Sequence, residues 1–336
     1  MHTPLRPITR RCALLASAAL LTFAALPVAS AADALEKITV AGWSKPITEI
    51  THLLVEPDKG IFKANGIDLD YVPGAGGGDA IRNILTGQAD VAFTDPGAFF
   101  AALDKGEKLR AIYDIYPQNV FNVVSLKSAN ITRPADLKGK KIGVYSLSSG
   151  TRQNLLVLLH QAGLVESDVT IVVTGLLNFA PLLQGQVDAT AATDTGLMVG
   201  KRKGLGDVNV MEVRNYLNVS SDLFVVREPV YQQKKLVLTR FLKAYRASAA
   251  WMIANPEEAA DLAVKRAIDG TDRATNLDVI RLRNAATVSA TTAKNGLGAF
   301  DLDSLQKAAD AYRKLGLIEH DIKVSDVVSA DLLAPR

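Results

Sequence analysis

Short apolar runs alternate along the chain with longer segments whose apolar residues fall three or four apart, and the alternation restarts partway through. "KITVAGW" (37–43), "GIDLDYVP" (66–73) and "ADVAFT" (89–94) have the length and β-branched content of strands, with a short helix, "AIRNILTG" (80–87), before the third. The second round has strands at "KKIGVY" (140–145), "VTIVVTG" (169–175) and "QVDATAATD" (186–194). Between them lie an amphipathic helix, "GTRQNLLVLLHQAGL" (150–164), and a short one, "NFAPLLQG" (178–185). Strands alternating with helices predict an α/β chain of βαβ units on parallel sheets. The phrase "LTGQADVAFTD" (85–95) returns as "LQGQVDATAATD" (183–194), and the element order around it repeats as well as the letters. Two similar α/β lobes account for both repetitions.

Two extended stretches, 111–127 and 214–228, have the β-branched and aromatic content of strands running between lobes. From about Val230 the pattern is helical, with apolar residues at i, i+3, i+4, and reads as a packed cover. The expected layout is residues 32–120 and 222–336 in one lobe and 121–221 in the other.

Residues 1–31 change the charge and cysteine arithmetic. Arg6, Arg10 and Arg11 precede an apolar run too short to span a bilayer, and Ala29-Ser30-Ala31 has the form of a cleavage site. The expectation is a signal peptide cleaved after Ala31 and a mature protein in a bacterial periplasm. Its removal takes three arginines and no acid from a precursor of net charge +3, leaving a neutral chain with no basic run to attract nucleic acid. Cys12, the single cysteine, leaves too, so the mature chain has no disulfide, thiolate metal site or thiol nucleophile.

Ligands of open α/β sheets sit where strands end and helices begin. That rule selects Trp43 and Ser44, the glycine run Gly76, Gly77 and Gly78, Thr94 and Asp95, Ser148, Ser149, Gly150 and Thr151, and Asp194. Helix N-termini after "GAGGGD" and "SLSSGT" offer free N–H groups, and Arg152 stands unfavourably for the helix dipole in a first turn, which together point to an anionic head group, while the acidic pair Asp95 and Asp194 points the other way, to a cationic or hydrogen-bond-donating heterocycle. Asp95, followed by Pro96, and Asp194 are also expected as helix caps. Tyr113 and Tyr116 are expected to pack. His52, His160 and His320 lack paired metal spacing, and no Walker, nucleophile-elbow or zinc-deaminase motif occurs, so neither cofactor, metal nor catalytic residue is expected.

The phrases Gly60-Ile61-Phe62 to Gly66-Ile67, Gly87-Gln88-Ala89-Asp90 and Pro134-Ala135-Asp136-Leu137-Lys138-Gly139-Lys140, together over roughly residues 37 to 250, resemble the SsuA/THI5-like (NMT1-like) family of periplasmic solute-binding proteins. The resemblance implies a type II periplasmic binding fold, with two α/β lobes joined by two crossover strands around a central cleft. It also implies a monomeric, non-enzymatic receptor that carries a small organic solute (a sulfonate, taurine, nitrate, pyrimidine-type compound or aromatic acid) to an ABC permease. Carried over by position, the contacts fall on Trp43 and Ser44, Gly76 to Gly78, Thr94 and Asp95, Ser148 to Thr151, and Asp194. Where many relatives have Trp-x-x-Pro after the second Gly-Gln-x-Asp strand, this chain has Asp194-Thr195-Gly196, so no relative's ligand transfers directly. The alternatives are an exported enzyme or a ligand sensor on the same fold.

Overall fold

The computed structural model describes residues 35–177 and 179–333. The expected signal peptide of residues 1–31, with its cleavage point after Ala31, lies outside these residues. So does Asn178, the expected start of the helix over 178–185, which runs Ala180–Leu183.

Ten strands make two five-stranded sheets. The first contains β1 (Glu36–Ala41), β2 (Ile67–Val72), β3 (Val91–Thr94), β4 (Leu109–Tyr116) and β10 (Asp222–Arg227), in the order β2-β1-β3-β10-β4. The second contains β5 (Phe121–Leu126), β6 (Lys141–Val144), β7 (Thr170–Val173), β8 (Ala189–Thr193) and β9 (Val208–Glu212), in the order β7-β6-β8-β5-β9. The two orders correspond strand for strand, as the repeated phrases predict. The expectation of purely parallel sheets fails at one place in each. β10 runs antiparallel between β3 and β4, and β5 antiparallel between β8 and β9. Each sheet therefore takes its fourth strand from the far side of a crossover. β9, "VNVME", was not expected, because its short alternation is bounded by no turn residues on its C-terminal side.

The crossovers are shorter than the sequence suggests. In 111–127 only residues 117–120 pass between the sheets, and in 214–228 a turn at Val213–Asn215 and the residues after it come before β10 begins. The two passages are tied to each other: Asn119 N–H donates to Asn218 Oδ1 (3.1 Å), Val120 N–H to Ser221 Oγ (3.0 Å) and Ser221 N–H to Tyr116 O (2.8 Å).

β10 carries the unbroken apolar run "LFVV", fully buried, because helices cover both faces of a central strand. Phe224 meets Tyr245 edge to face at 4.6 Å and Phe241 at 5.3 Å, joining the sheet to the helix Lys235–Ala254. Tyr113 and Tyr116 are buried, as expected for packing residues. The last third is helical, with further helices at Pro256–Arg266, Arg273–Ala286 and Leu302–Lys314. No helix among the described residues is long and apolar enough to cross a membrane.

Candidate functional site

The strand ends and helix starts of both sheets face one cleft. Its space amounts to about 700 Å3, counting what opens to solvent. Of the residues singled out in the sequence, Trp43, Gly76, Gly77, Asp95, Ser149, Gly150 and Thr151 line it.

The others are near but otherwise engaged. Ser44 is buried, with its hydroxyl on Lys45 O at 2.8 Å. Thr94 Oγ1 donates to Gly77 O at 3.0 Å. Gly78 and Ser148 bind each other: Gly78 N–H donates to Ser148 O at 2.9 Å, and Ser148 Oγ reaches Ala75 O and Asp79 Oδ1, each at 3.1 Å. The glycine run is therefore a seam between the two sheets as much as a ligand loop. Gly76 has φ +136°, and a Cβ there would stand 2.4 Å from Ser148 O, so only glycine permits the approach.

Arg152 gives no support to the expected anion site. Its guanidinium turns away to Glu166, with Nε 2.9 Å from Oε1, and does not line the cleft. A nearby carboxylate compensates for the unfavourable dipole position, so no anion is needed to explain it.

The two Asp residues also part company. Asp95 caps the helix Pro96–Asp104, accepting from Ala98 N–H at 2.9 Å, as Pro96 predicts. Asp194 is not a cap. Thr193 fills that position for the helix Asp194–Arg202, accepting from Gly196 N–H at 3.3 Å. Asp194 is the first helical residue, lies outside the cleft lining and pairs with Arg283. Without a proline the helix can begin one residue earlier, which moves the cap back to the threonine.

The sequence pattern does not single out three acidic or basic residues of the cleft, Glu49, Asp222 and Arg283. Arg283 is 1 % exposed on the helix Arg273–Ala286, which had been read only as cover. Its buried neighbours on that face are Asn276, Val279, Ile280 and Ala286, so an arginine on a buried stripe was the available signal. Its guanidinium stands 3.2 Å from Glu49, pairs with Asp194, donates to Thr195 Oγ1 at 3.0 Å and lies 5.3 Å over the ring of Tyr116. Burial alone would lower its pKa, but the charges of Asp194 and Glu49 raise it above its ordinary value. Burial raises the Glu49 pKa against the pull of Arg283 and the Thr195 hydroxyl.

Asp95 and Asp222 form the polar floor. Burial raises the Asp95 pKa from 3.8 to about 6, and no group among the described residues pairs with its Oδ2. Burial, and then the charge of Asp95, push Asp222 well above the ordinary carboxylate range. Two carboxyl groups thus line the same space, and at each of them burial favours the neutral acid, which offers an O–H donor beside its acceptor oxygen. Aromatic walls complete it. Trp43 stands edge-on to Phe93 and Tyr145, at 6.2 and 6.5 Å, and Phe121 lines the opposite side. Among the described residues no cluster of His, Cys, Asp and Glu has the arrangement of a metal site.

The profile of the NMT1/THI5-like family matches residues 47–259. The riboflavin-binding protein RibY of Chloroflexus aurantiacus is 22% identical over 92% of this chain and 89% of its own. The formylaminopyrimidine-binding protein of Halalkalibacterium halodurans is 25% identical over 69% and 71%. Among solved structures, the alkanesulfonate-binding protein SsuA of Xanthomonas axonopodis pv. citri, bound to MOPS, superposes with a TM-score of 0.66 at 15% identity, over 88% of this chain and 98% of that one. The fold is that of the periplasmic binding proteins, and the chain belongs to the NMT1/THI5-like family.

Proposed function

We propose that the protein is exported to the periplasm by residues 1–31, cleaved after Ala31, and works there as a monomeric receptor that closes on a small solute and hands it unchanged to an ABC permease. Its two lobes are residues 32–120 with 222–336, and 121–221, and closure is a rotation about the laced crossovers at 117–120 and 216–221. The solute is an aromatic, N–H-bearing heterocycle of the pyrimidine or flavin type, and not a sulfonate.

One observation carries this choice. The cleft presents Asp95 and Asp222 between aromatic walls, while its cation, Arg283, is already matched by Glu49 and Asp194. A sulfonate entering there would meet carboxyl oxygens without a free counter-charge. A ring edge with alternating N and N–H instead pairs with a carboxylic acid through two hydrogen bonds, and its faces pack on Trp43 and Tyr145. The names of RibY and the formylaminopyrimidine-binding protein, both relatives over more than two thirds of this chain, support the same chemistry.

Native mass spectrometry of freshly purified protein tests the reading. A retained, chemically unchanged heterocycle is the expected result. A retained sulfonate would overturn the solute, and a ligand converted on incubation would overturn the receptor role.

A further inference from the structure

Arg283 touches both sides of the cleft. Its helix packs against the helices Lys235–Ala254 and Pro256–Arg266 beside the first sheet, and Glu49, which it faces at 3.2 Å, belongs to the same side. Asp194 and Thr195 begin the helix that follows β8 of the second sheet. One buried guanidinium therefore spans the gap, and Thr195 Oγ1 adds a direct bond to Glu49 at 2.6 Å. At the rim the same two helices are joined a second time, with Arg202 Nε 3.0 Å from Asp278, but those side chains are 42% and 35% exposed.

We propose that Arg283 is the closure residue of this receptor: anchored on Glu49, it captures Asp194 and Thr195 as the lobes meet, so a contact the solute does not make sets how long the solute stays. This rests on the receptor reading above and names the regulation of the same site. A contact present in the closed arrangement and lost in an open one shifts the equilibrium by its own differential strength. Buried, charge-assisted and shared among three partners, this one outweighs the solvated pair at the rim, where water competes for both groups. Arg283 acts as a positioning residue. Its removal should act on the dissociation rate, because association begins from the open form, in which the bridge is not yet made.

The test uses the chain from residue 32 onward, which has no cysteine, so K105C and K138C place one spin label beside each sheet. Without added solute, Asp194→Asn should move the inter-label distances toward longer values, Asp194→Glu should restore them, and Arg202→Ala should shift them less. Stopped-flow dissociation of 4-amino-2-methylpyrimidine should be at least tenfold faster from Asp194→Asn, with association within about twofold of wild type. A distance distribution that Asp194→Asn leaves unchanged, or an equal shift from Arg202→Ala, overturns the proposal. If neither the pyrimidine nor riboflavin binds the wild-type chain, the solute reading fails, and the distances alone decide the role of Arg283.

Discussion

The two copies of the repeated phrase agree in their first half and diverge in their second. In both, a helix ends at a left-handed glycine, Gly87 with φ +76° and Gly185 with φ +69°. In both, the Asp two residues after the Gln reaches the backbone of the neighbouring strand. Asp90 Oδ2 accepts from Thr39 N–H at 3.1 Å, and Asp188 Oδ2 from Lys141 N–H at 2.7 Å, so the first ties β3 to β1 and the second ties β8 to β6. The closing Thr-Asp does two different jobs. Asp95 caps a helix and lines the cleft, whereas Asp194 starts a helix and binds Arg283, leaving the cap to Thr193. The shared half builds the sheet in both copies, and the half near the site differs in its chemistry.

The comparison can be broken most forcefully at Arg283. Arg283→Met leaves Glu49 and Asp194 facing each other without their cation, and the expected cost is about 3–5 kcal/mol in urea unfolding, since removing one member of a buried ion pair strands the other charges. A loss no larger than that of an ordinary surface arginine would show that the second copy is not organised around it.

Asp95→Asn probes the first copy. Asn keeps the cap, so the change isolates the charge. Because the folded-state pKa of Asp95, about 6, lies above its ordinary 3.8, ionisation costs the folded state stability. That cost is fully present above pH 6 and vanishes as the pH falls through 6 toward 4. Asp95→Asn should therefore be the more stable protein at pH 7, by up to about 3 kcal/mol, with the gap closing by about pH 4. Melting curves of the two proteins that stay parallel between pH 7 and pH 4 would contradict this.

Asp90→Ala and Asp188→Ala address the shared half. Each should cost about 1–2 kcal/mol in denaturant unfolding by leaving a strand N–H poorly paired, and neither should alter the affinity for a solute. A large affinity loss from either would assign the shared half to the site. Arg152→Ala should do least, changing affinity less than twofold, because its partner is Glu166 and not the cleft.

The sheet-building signals were local and therefore legible. Alternation, glycine stops, the proline after Asp95 and the repeat itself made legible the two α/β units, seven of the cleft-lining residues and the capping role of Asp95. What escaped depends on residues distant in the chain. The antiparallel insertion of β5 and β10 follows from where the crossovers lead, which no window of sequence contains. Arg152 and Arg283 are both helical arginines, and only the fold places Glu166 beside one and Glu49 with Asp194 beside the other. Asp222 opens a strand as an ordinary polar residue, and its meeting with Asp95 joins positions far apart in the chain. The absence of the Trp-x-x-Pro pattern already marked the second copy as different, and the ion pair of Asp194 gives that difference a physical content.

The central claim is that this cleft reads N–H donors through Asp95 and Asp222. Isothermal titration of the purified chain at pH 7 with 4-amino-2-methylpyrimidine, riboflavin and ethanesulfonate, repeated on Asp222→Asn, tests it most directly. Binding of at least one heterocycle, no binding of the sulfonate and at least a tenfold loss in Asp222→Asn are the expected results. Tight binding of the sulfonate, or heterocycle binding that Asp222→Asn leaves intact, would contradict it.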